Sequence, residues 1–274
     1  MHILRSSLTE NQTMSEPTIT EPNNSTIDAI VKIMADCQSI LFITGAGVSA
    51  DSGVPTYRGI GGLYNVDTTA EGFAIEEVLS AEMFARDPAL TWKYLAQIGL
   101  AAQDAQHNRA HEVIAEIENH FDRVWTLTQN VDSFHRSAGS KNLIEAHGNM
   151  NSFSCTACQF KTYVEDFKDL SIPPVCPDCS AMVRPDVVLF GELLQGDHID
   201  ELTRQVMQGF DVVFSIGTTS VFPYIQEPIR LAKQAGNPTI EINPSETVIS
   251  PLVDHRVTLG AAESLNEIWR RFKS

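Results

Sequence analysis

No stretch of this chain is apolar for the roughly 20 residues needed to span a bilayer. Residues 1–25 also lack the apolar core of a secretory signal and the arginine-rich pattern of a transit peptide. They are rich in Ser, Thr, Asn, Glu and Pro, with Arg5 alone facing Glu10, Glu16 and Glu21, and they read as a disordered tail of a cytoplasmic protein. Basic residues are scarce: 19 Lys and Arg stand against 35 Asp and Glu, a net charge of -16. Such a surface disfavours nucleic acid and anionic membrane. It would attract lysine-rich segments, although acidity also serves plain solubility. Cysteine is sparse too, with five residues in all.

Four of those five are grouped. Cys155 and Cys158 form one Cys-x-x-Cys pair, Cys176 and Cys179 a second, and seventeen residues, 159 to 175, separate them. That spacing is a zinc pattern. Two disulfides or a redox pair are the alternatives, but paired knuckles in a cytoplasmic chain point to thiolates around a metal. Four thiolates leave no open position for water, so the metal reads as structural. Cys37 stands alone and reads as a small core residue.

With 274 residues and 43% hydrophobic content, the chain can bury one large domain and carry an insertion. Its organising stretch is Ile40 to Arg58. An apolar run, Ile40 to Thr44, feeds the turn Gly45-Ala46-Gly47-Val48-Ser49-Ala50. The spacing fits G-x-G-x-x-[GA], in which glycines let backbone approach a pyrophosphate at the next helix. Glycines at a turn need no ligand, yet Arg58 follows, suited to phosphate or ribose oxygens. An ordinary dehydrogenase would place a strand and then an acid about 20 residues on. Asp67 has the distance but no strand before it, and the next strand is Arg123–Thr128. A long insertion therefore interrupts the sheet.

Helices are expected over Thr26–Asp36, 73–106, from Asn108, over His198–Gly209, from Pro223 to Ala235, and over Ala261–Phe272. Strands are expected at Ile40–Thr44, Arg123–Thr128, Asn142–Ala146, Val187–Phe190, Asp211–Ile216, Thr239–Ile242 and Val257–Leu259. The alternation implies an α/β, Rossmann-like doubly wound parallel sheet. Residues 149–184, with the cysteines and a β-type piece at Lys161–Val164, stand outside that layer. Polar clusters follow the strands at Gly45–Arg58, Gln129–Asp132, His147-Gly148, Gly217–Ser220 and Asn243-Pro244. Ligands of doubly wound sheets collect beyond such strand ends.

The ordered set of motifs resembles the sirtuins, NAD-dependent protein lysine deacylases. The matching pieces are Gly45–Ser49, Ser52–Pro55 with Arg58, Thr128–Asp132, His147-Gly148, both Cys-x-x-Cys pairs, Arg184–Glu192, Gly217-Thr218 and Glu241–Pro244. They run in family order across roughly residues 28–272. The resemblance implies a Rossmann-like NAD domain (26–60, 107–148 and 185–274), and a smaller domain of helical insertion (61–106) and zinc ribbon (149–184). NAD and an acyl-lysine of a protein or peptide would meet in the cleft between them.

An amide is a poor electrophile, and a four-thiolate metal has no position from which to activate it. Loss of nicotinamide from NAD instead makes the ribose C1′ electrophilic. The acyl oxygen can attack it to give an imidate, and a base must then free a ribose hydroxyl to attack that carbon. Histidine suits the task, and the resemblance makes His147 the base, although a lone histidine is usually structural. Asn130 and Asp132 would hold nicotinamide and the reacting ribose; Asp132 could equally be a helix N-cap. Gln129 would contact the ribose. Ala46, Gly47, Tyr57 and Arg58 would surround the pyrophosphate and nicotinamide ribose, and Gly217, Thr218 and Asn243 the adenosine end. Gly45, Val131, Thr219 and Ala262 would complete the cofactor contacts. Val188, Phe190 and Gly191 would pair with substrate backbone, or simply form a buried strand.

Three departures from the family pattern stand out. Tyr57 replaces the commoner phenylalanine, and the Gly217–Pro223 segment is one residue short, which unsettles Thr219 and Ser220. Relatives acting on acidic acyl groups carry Tyr and Arg three apart after an Arg-Asp-Pro turn. Here Arg86-Asp-Pro88 leads to Leu95 and Ile98. An apolar pocket cannot favourably bury a lone carboxylate, so acetyl or longer neutral groups are expected over succinyl. Protein mono-ADP-ribosyl transfer on the same cofactor is the alternative reading, and a non-catalytic NAD or ribbon module the third.

Overall fold

The computed structural model describes residues 19–54 and 68–274. Its first element is α1 (Glu21–Ala35). That helix starts at Glu21, not Thr26, so residues 21–25 belong to the fold and not to a tail. Pro22 stands in the first turn, where a missing N–H costs no helical bond. Tertiary bonds then hold the polar start: the Thr258 N–H donates to Asn23 Oδ1 at 3.0 Å, and the Arg271 guanidinium donates to Asn24 Oδ1 at 2.6 Å.

Next come β1 (Ser39–Thr44) and, after residues 55–67, the insertion helices α2 (Ile75–Val78), α3 (Ala81–Arg86) and α4 (Pro88–Gln103). Ser80 caps α3 through the Met83 N–H and Asp87 caps α4 through the Leu90 N–H. α5 (Arg109–Glu118) opens at Asn108 as expected, and β2 (Arg123–Thr128), α6 (Phe134–Ser137) and β3 (Leu143–Glu145) follow. The ribbon strands are β4 (Gly148–Cys155), β5 (Lys161–Tyr163) and β6 (Val183–Val187). The chain ends with α7 (Gly196–Met207), β7 (Val212–Ile216), α8 (Pro223–Gln234), β8 (Thr239–Ile242), β9 (His255–Val257) and α9 (Ala261–Phe272).

Six strands form one parallel sheet in the order β3-β2-β1-β7-β8-β9. Alternate residues of each strand serve opposite faces. Ile40 and Phe42 join Val212, Phe214, Ile240 and Ile242 under α1, α5 and α9. Leu41 and Ile43 join Leu127, Val213 and the α8 residues Ile225 and Ile229 on the other face. Both faces are covered, which is why the strands read as unbroken apolar runs.

A third core unites the two inserted segments. Val78, Trp92 and Leu95 from the helices pack with Phe153, Phe167 and Val183 from the ribbon. Gly99 permits this: a Cβ there would lie 2.4 Å from the Phe167 ring. The main layer does not resume at Val187–Phe190. β6 ends at Val187 and pairs antiparallel with β4, so the apolar run belongs to the three-stranded sheet β5-β4-β6. The last sheet strand also lies earlier than Val257–Leu259: His255–Val257 pairs with Ile240–Ile242 of β8, and Arg256 there meets the buried Glu241 carboxylate at 2.6 Å. Among the described residues no helix is long and apolar enough to cross a membrane.

Candidate active site

The strand order reverses between β1 and β7, and the turns that leave these two strands meet there. The Gly47 N–H donates to the Gly217 carbonyl at 2.8 Å, and the Gly45 N–H to the Ile216 carbonyl at 3.1 Å. The loops touch backbone to backbone: a Cβ on Gly217 would lie 2.5 Å from the Gly47 carbonyl carbon. Gly217 also holds φ +59, a region that side chains avoid. Gly217→Ala is therefore expected to lower stability by at least about 2 kcal/mol, read by thermal melting. An unchanged melting temperature would show that the loops do not clasp in this way.

The fingerprint does not open a long helix. Ala46–Ser52 forms a short 3₁₀ run closed by Gly53 at φ +76. The N–H groups of Gly47 and Val48 are already bonded within the clasp, so the turn offers less to an anion than the motif suggested. Tyr57 and Arg58 lie outside the described residues.

Beyond the end of β2, Gln129, Asn130 and Asp132 are tied into these turns. Gln129 Nε2 donates to Thr218 Oγ1 at 2.8 Å, and Asn243 Nδ2 to the Thr218 carbonyl at 3.2 Å. Asn130 Nδ2 donates to the Gly45 carbonyl at 3.2 Å and to Ser49 Oγ at 3.1 Å. Ser49 in turn donates to Asp132 Oδ2 at 2.7 Å. Asp132 Oδ1 accepts the Phe134 N–H at 3.0 Å at the start of α6, whose N-cap position is Ser133 and not Asp132. Burial raises the Asp132 pKa, and these two donors oppose the rise. Ser49 lies 3.4 Å from Nε2 of buried His111, whose Nδ1 accepts the Asn108 N–H at 3.2 Å. His111 therefore carries its hydrogen on Nε2 and points it at Ser49. Burial pushes its pKa down to about 4, which keeps the ring neutral. The sequence placed Ser49 in the glycine turn and His111 in the first turn of a helix, but gave no sign that they act together.

His147 follows β3. Its Nδ1 lies 2.9 Å from the Gln129 carbonyl and its Nε2 2.5 Å from the Tyr224 hydroxyl. A carbonyl only accepts, so Nδ1 carries the hydrogen and Nε2 the lone pair. Burial lowers the His147 pKa, with the Gln129 bond opposing it. The ring is thus a neutral imidazole of fixed tautomer, as a general base requires. The sequence had marked Pro223 only as a helix start; Tyr224, next to it, was missed.

The Val188 N–H donates to the His147 carbonyl at 2.9 Å, which ties the expected substrate segment to that histidine. The Phe190 N–H and carbonyl are engaged by Leu79 and Ala81. Gly191, next to it, is exposed with φ +85. Thr218 is buried beneath the clasp and Thr219 exposed. Val131 is partly buried against the ribbon core. Ala262 lies in the first turn of α9, its N–H taken by Asp51 at 3.2 Å. Leu95 and Ile98 are on α4, Leu95 buried in the third core and Ile98 packed against it.

The four ribbon cysteines converge, with all Sγ atoms within 4.8 Å of one another. Cys155 and Cys179 are 3.4 Å apart and Cys158 and Cys176 3.6 Å. Zn–S bonds of about 2.3 Å in a tetrahedron set sulfur atoms about 3.8 Å apart. The cluster fits a structural zinc site. Cys37 is partly buried against the main core, and burial raises its thiol pKa to about 11.

The Sir2 family model matches residues 45–223. "NAD-dependent protein deacylase 2" of Pseudomonas aeruginosa is 46% identical over 249 residues, 90% of this chain and 97% of that protein. A Sir2 homologue solved with NAD is 37% identical, covers 90% of this chain and 93% of its own, and superposes with a TM-score of 0.81. A Sir2 homologue mutant in complex with 2′-O-acetyl ADP ribose is 36% identical, with a TM-score of 0.80 over 90% of this chain and 96% of its own. By this match, spanning the glycine clasp, the His147 network and the cysteine cluster, the chain belongs to the Sir2 family.

Proposed function

We propose that this protein removes acyl groups from protein lysines at the expense of NAD, releasing nicotinamide, O-acyl-ADP-ribose and free lysine. The observation that carries the reading is His147: a neutral imidazole just beyond β3, its tautomer set by the Gln129 carbonyl. When bound, NAD supplies an electrophilic ribose carbon once nicotinamide leaves. The chain's own residues bind and orient. Asn130 and Asp132 hold the nicotinamide end, and Gln129 meets the ribose. Gly45, Ala46, Gly47, Tyr57 and Arg58 approach the pyrophosphate. Gly217, Thr218, Thr219, Asn243 and Ala262 take the adenosine side, and Val131 completes the cofactor contacts beside Asn130 and Asp132. Val188, Phe190 and Gly191 flank the peptide. His147 accepts a proton from a ribose hydroxyl.

Leu95 and Ile98 place no charge on the α4 positions expected to face the acyl chain, so a carboxylate there would lose its hydration without a partner. A peptide panel carrying acetyl, long-chain and succinyl lysine tests this. Acetyl or long-chain removal is expected to exceed succinyl removal by about tenfold or more, since one unpaired charge costs well over 1.4 kcal/mol. Faster desuccinylation would overturn the pocket assignment; no NAD consumption with any peptide would overturn the function.

A further inference from the structure

We propose that the Tyr224 hydroxyl stands between His147 and the reacting ribose, and relays to Nε2 the proton that this base removes. The inference rests on the reading of His147 as the base. With Nδ1–H given to Gln129, the ring has a single lone pair, on Nε2. Tyr224 already occupies it at 2.5 Å. A ribose hydroxyl can reach Nε2 only by displacing that phenol or by acting through it.

Packing favours the second route. The Tyr224 ring is half-buried and packs against the core face built on Leu41, Ile43, Ile225 and Ile229. It stacks on Phe222 with centroids 5.7 Å apart and planes 20° from parallel. Phe222 also meets the His147 ring edge-on at 5.9 Å. Displacing the phenol would break the stack and open apolar surface to water. The hydroxyl is chemically suited to stay. Burial raises its pKa above the ordinary tyrosine value, so it is an O–H donor and not a phenolate.

The transfer balances. The ribose O–H bond breaks and its proton bonds to the Tyr224 oxygen. The Tyr224 O–H bond breaks and that proton bonds to Nε2. The ribose oxygen keeps its electron pair for attack on the acyl carbon, His147 becomes an imidazolium, and Tyr224 ends unchanged.

Tyr224→Phe keeps the ring and its stack and removes only the oxygen. In the ligand-free protein, ¹⁵N-histidine NMR should show the Nε2 resonance of His147 moving downfield as its lone pair loses a donor. With NAD and acetyl-peptide, nicotinamide exchange should stay within about twofold, because it precedes the proton transfer. O-acyl-ADP-ribose formation should fall by about 10²-fold or more. An unshifted Nε2 resonance, or product formed at the wild-type rate, would overturn the relay. His147→Ala, run alongside, separates the two readings. If it blocks product while Tyr224→Phe does not, the relay alone fails; if neither blocks product, the assignment of the base fails with it. Should Tyr224→Phe fold poorly, fluorotyrosine at position 224 replaces it. Product formation must then vary with fluorination while exchange does not, and a flat response refutes the relay.

Discussion

Replacing His147 with alanine is expected to lower formation of O-acyl-ADP-ribose by about 10²–10⁴-fold, the range a positioned general base contributes. Nicotinamide exchange should persist in the same variant, because that step needs no base. The expectation rests on how thoroughly the ring is prepared. The Gln129 carbonyl that fixes its tautomer is itself held, since the Gln129 N–H donates to the Thr44 carbonyl at 3.0 Å and the side chain reaches Thr218. Burial keeps the imidazole neutral below the pH at which a free histidine would charge. The acid limb of the wild-type pH profile should therefore lie below the usual histidine value of about 6.5. Product formation at the wild-type rate in the alanine variant would remove His147 from the mechanism.

The second large effect concerns the cysteine cluster. Removing its metal, or substituting Cys176→Ala, should unfold the ribbon and abolish turnover together. The third core holds the inner side of that lobe, but its outer side has little apolar packing of its own: β5 has three residues, all exposed, and β4 is rich in Asn and Ser. Metal binding in small thiolate sites is worth about 10 kcal/mol or more and is largely folding free energy. Cys176 is 2% exposed and packs in the third core with Val187 and Leu189, which flank Val188 and its bond to the His147 carbonyl. Chelation should lower the melting temperature and the deacylation rate in parallel, and added zinc should restore both. Elemental analysis showing less than one zinc per folded, active chain would contradict the assignment.

What the sequence disclosed depended on whether the deciding interactions were local. The strands Arg123–Thr128 and Thr239–Ile242 and the helix Ala261–Phe272 fall where periodicity places them, because each buries its own apolar residues. The cysteine spacing and the glycine turn were legible for the same reason. Val187–Phe190 misled because an apolar run looks alike in either sheet, and its true partner, Gly148–Cys155, has a polar composition with no strand signature. The start of α1 was hidden by Asn23 and Asn24, whose partners Thr258 and Arg271 lie near the other end of the chain. Tyr224 was invisible for a similar reason. Nothing around it announces that a histidine 77 positions earlier lies against its hydroxyl.

Gly148 follows His147 directly and begins β4. It holds φ +81, and a Cβ there would lie 1.8 Å from the Asp186 carbonyl oxygen. No side chain can be inserted at this joint. His147 thus directly precedes a residue that only glycine can be, where the chain passes from the parallel sheet into β4. The position of its imidazole is tied through main chain to the β4–β6 pairing, so a side chain at 148 would disturb both together.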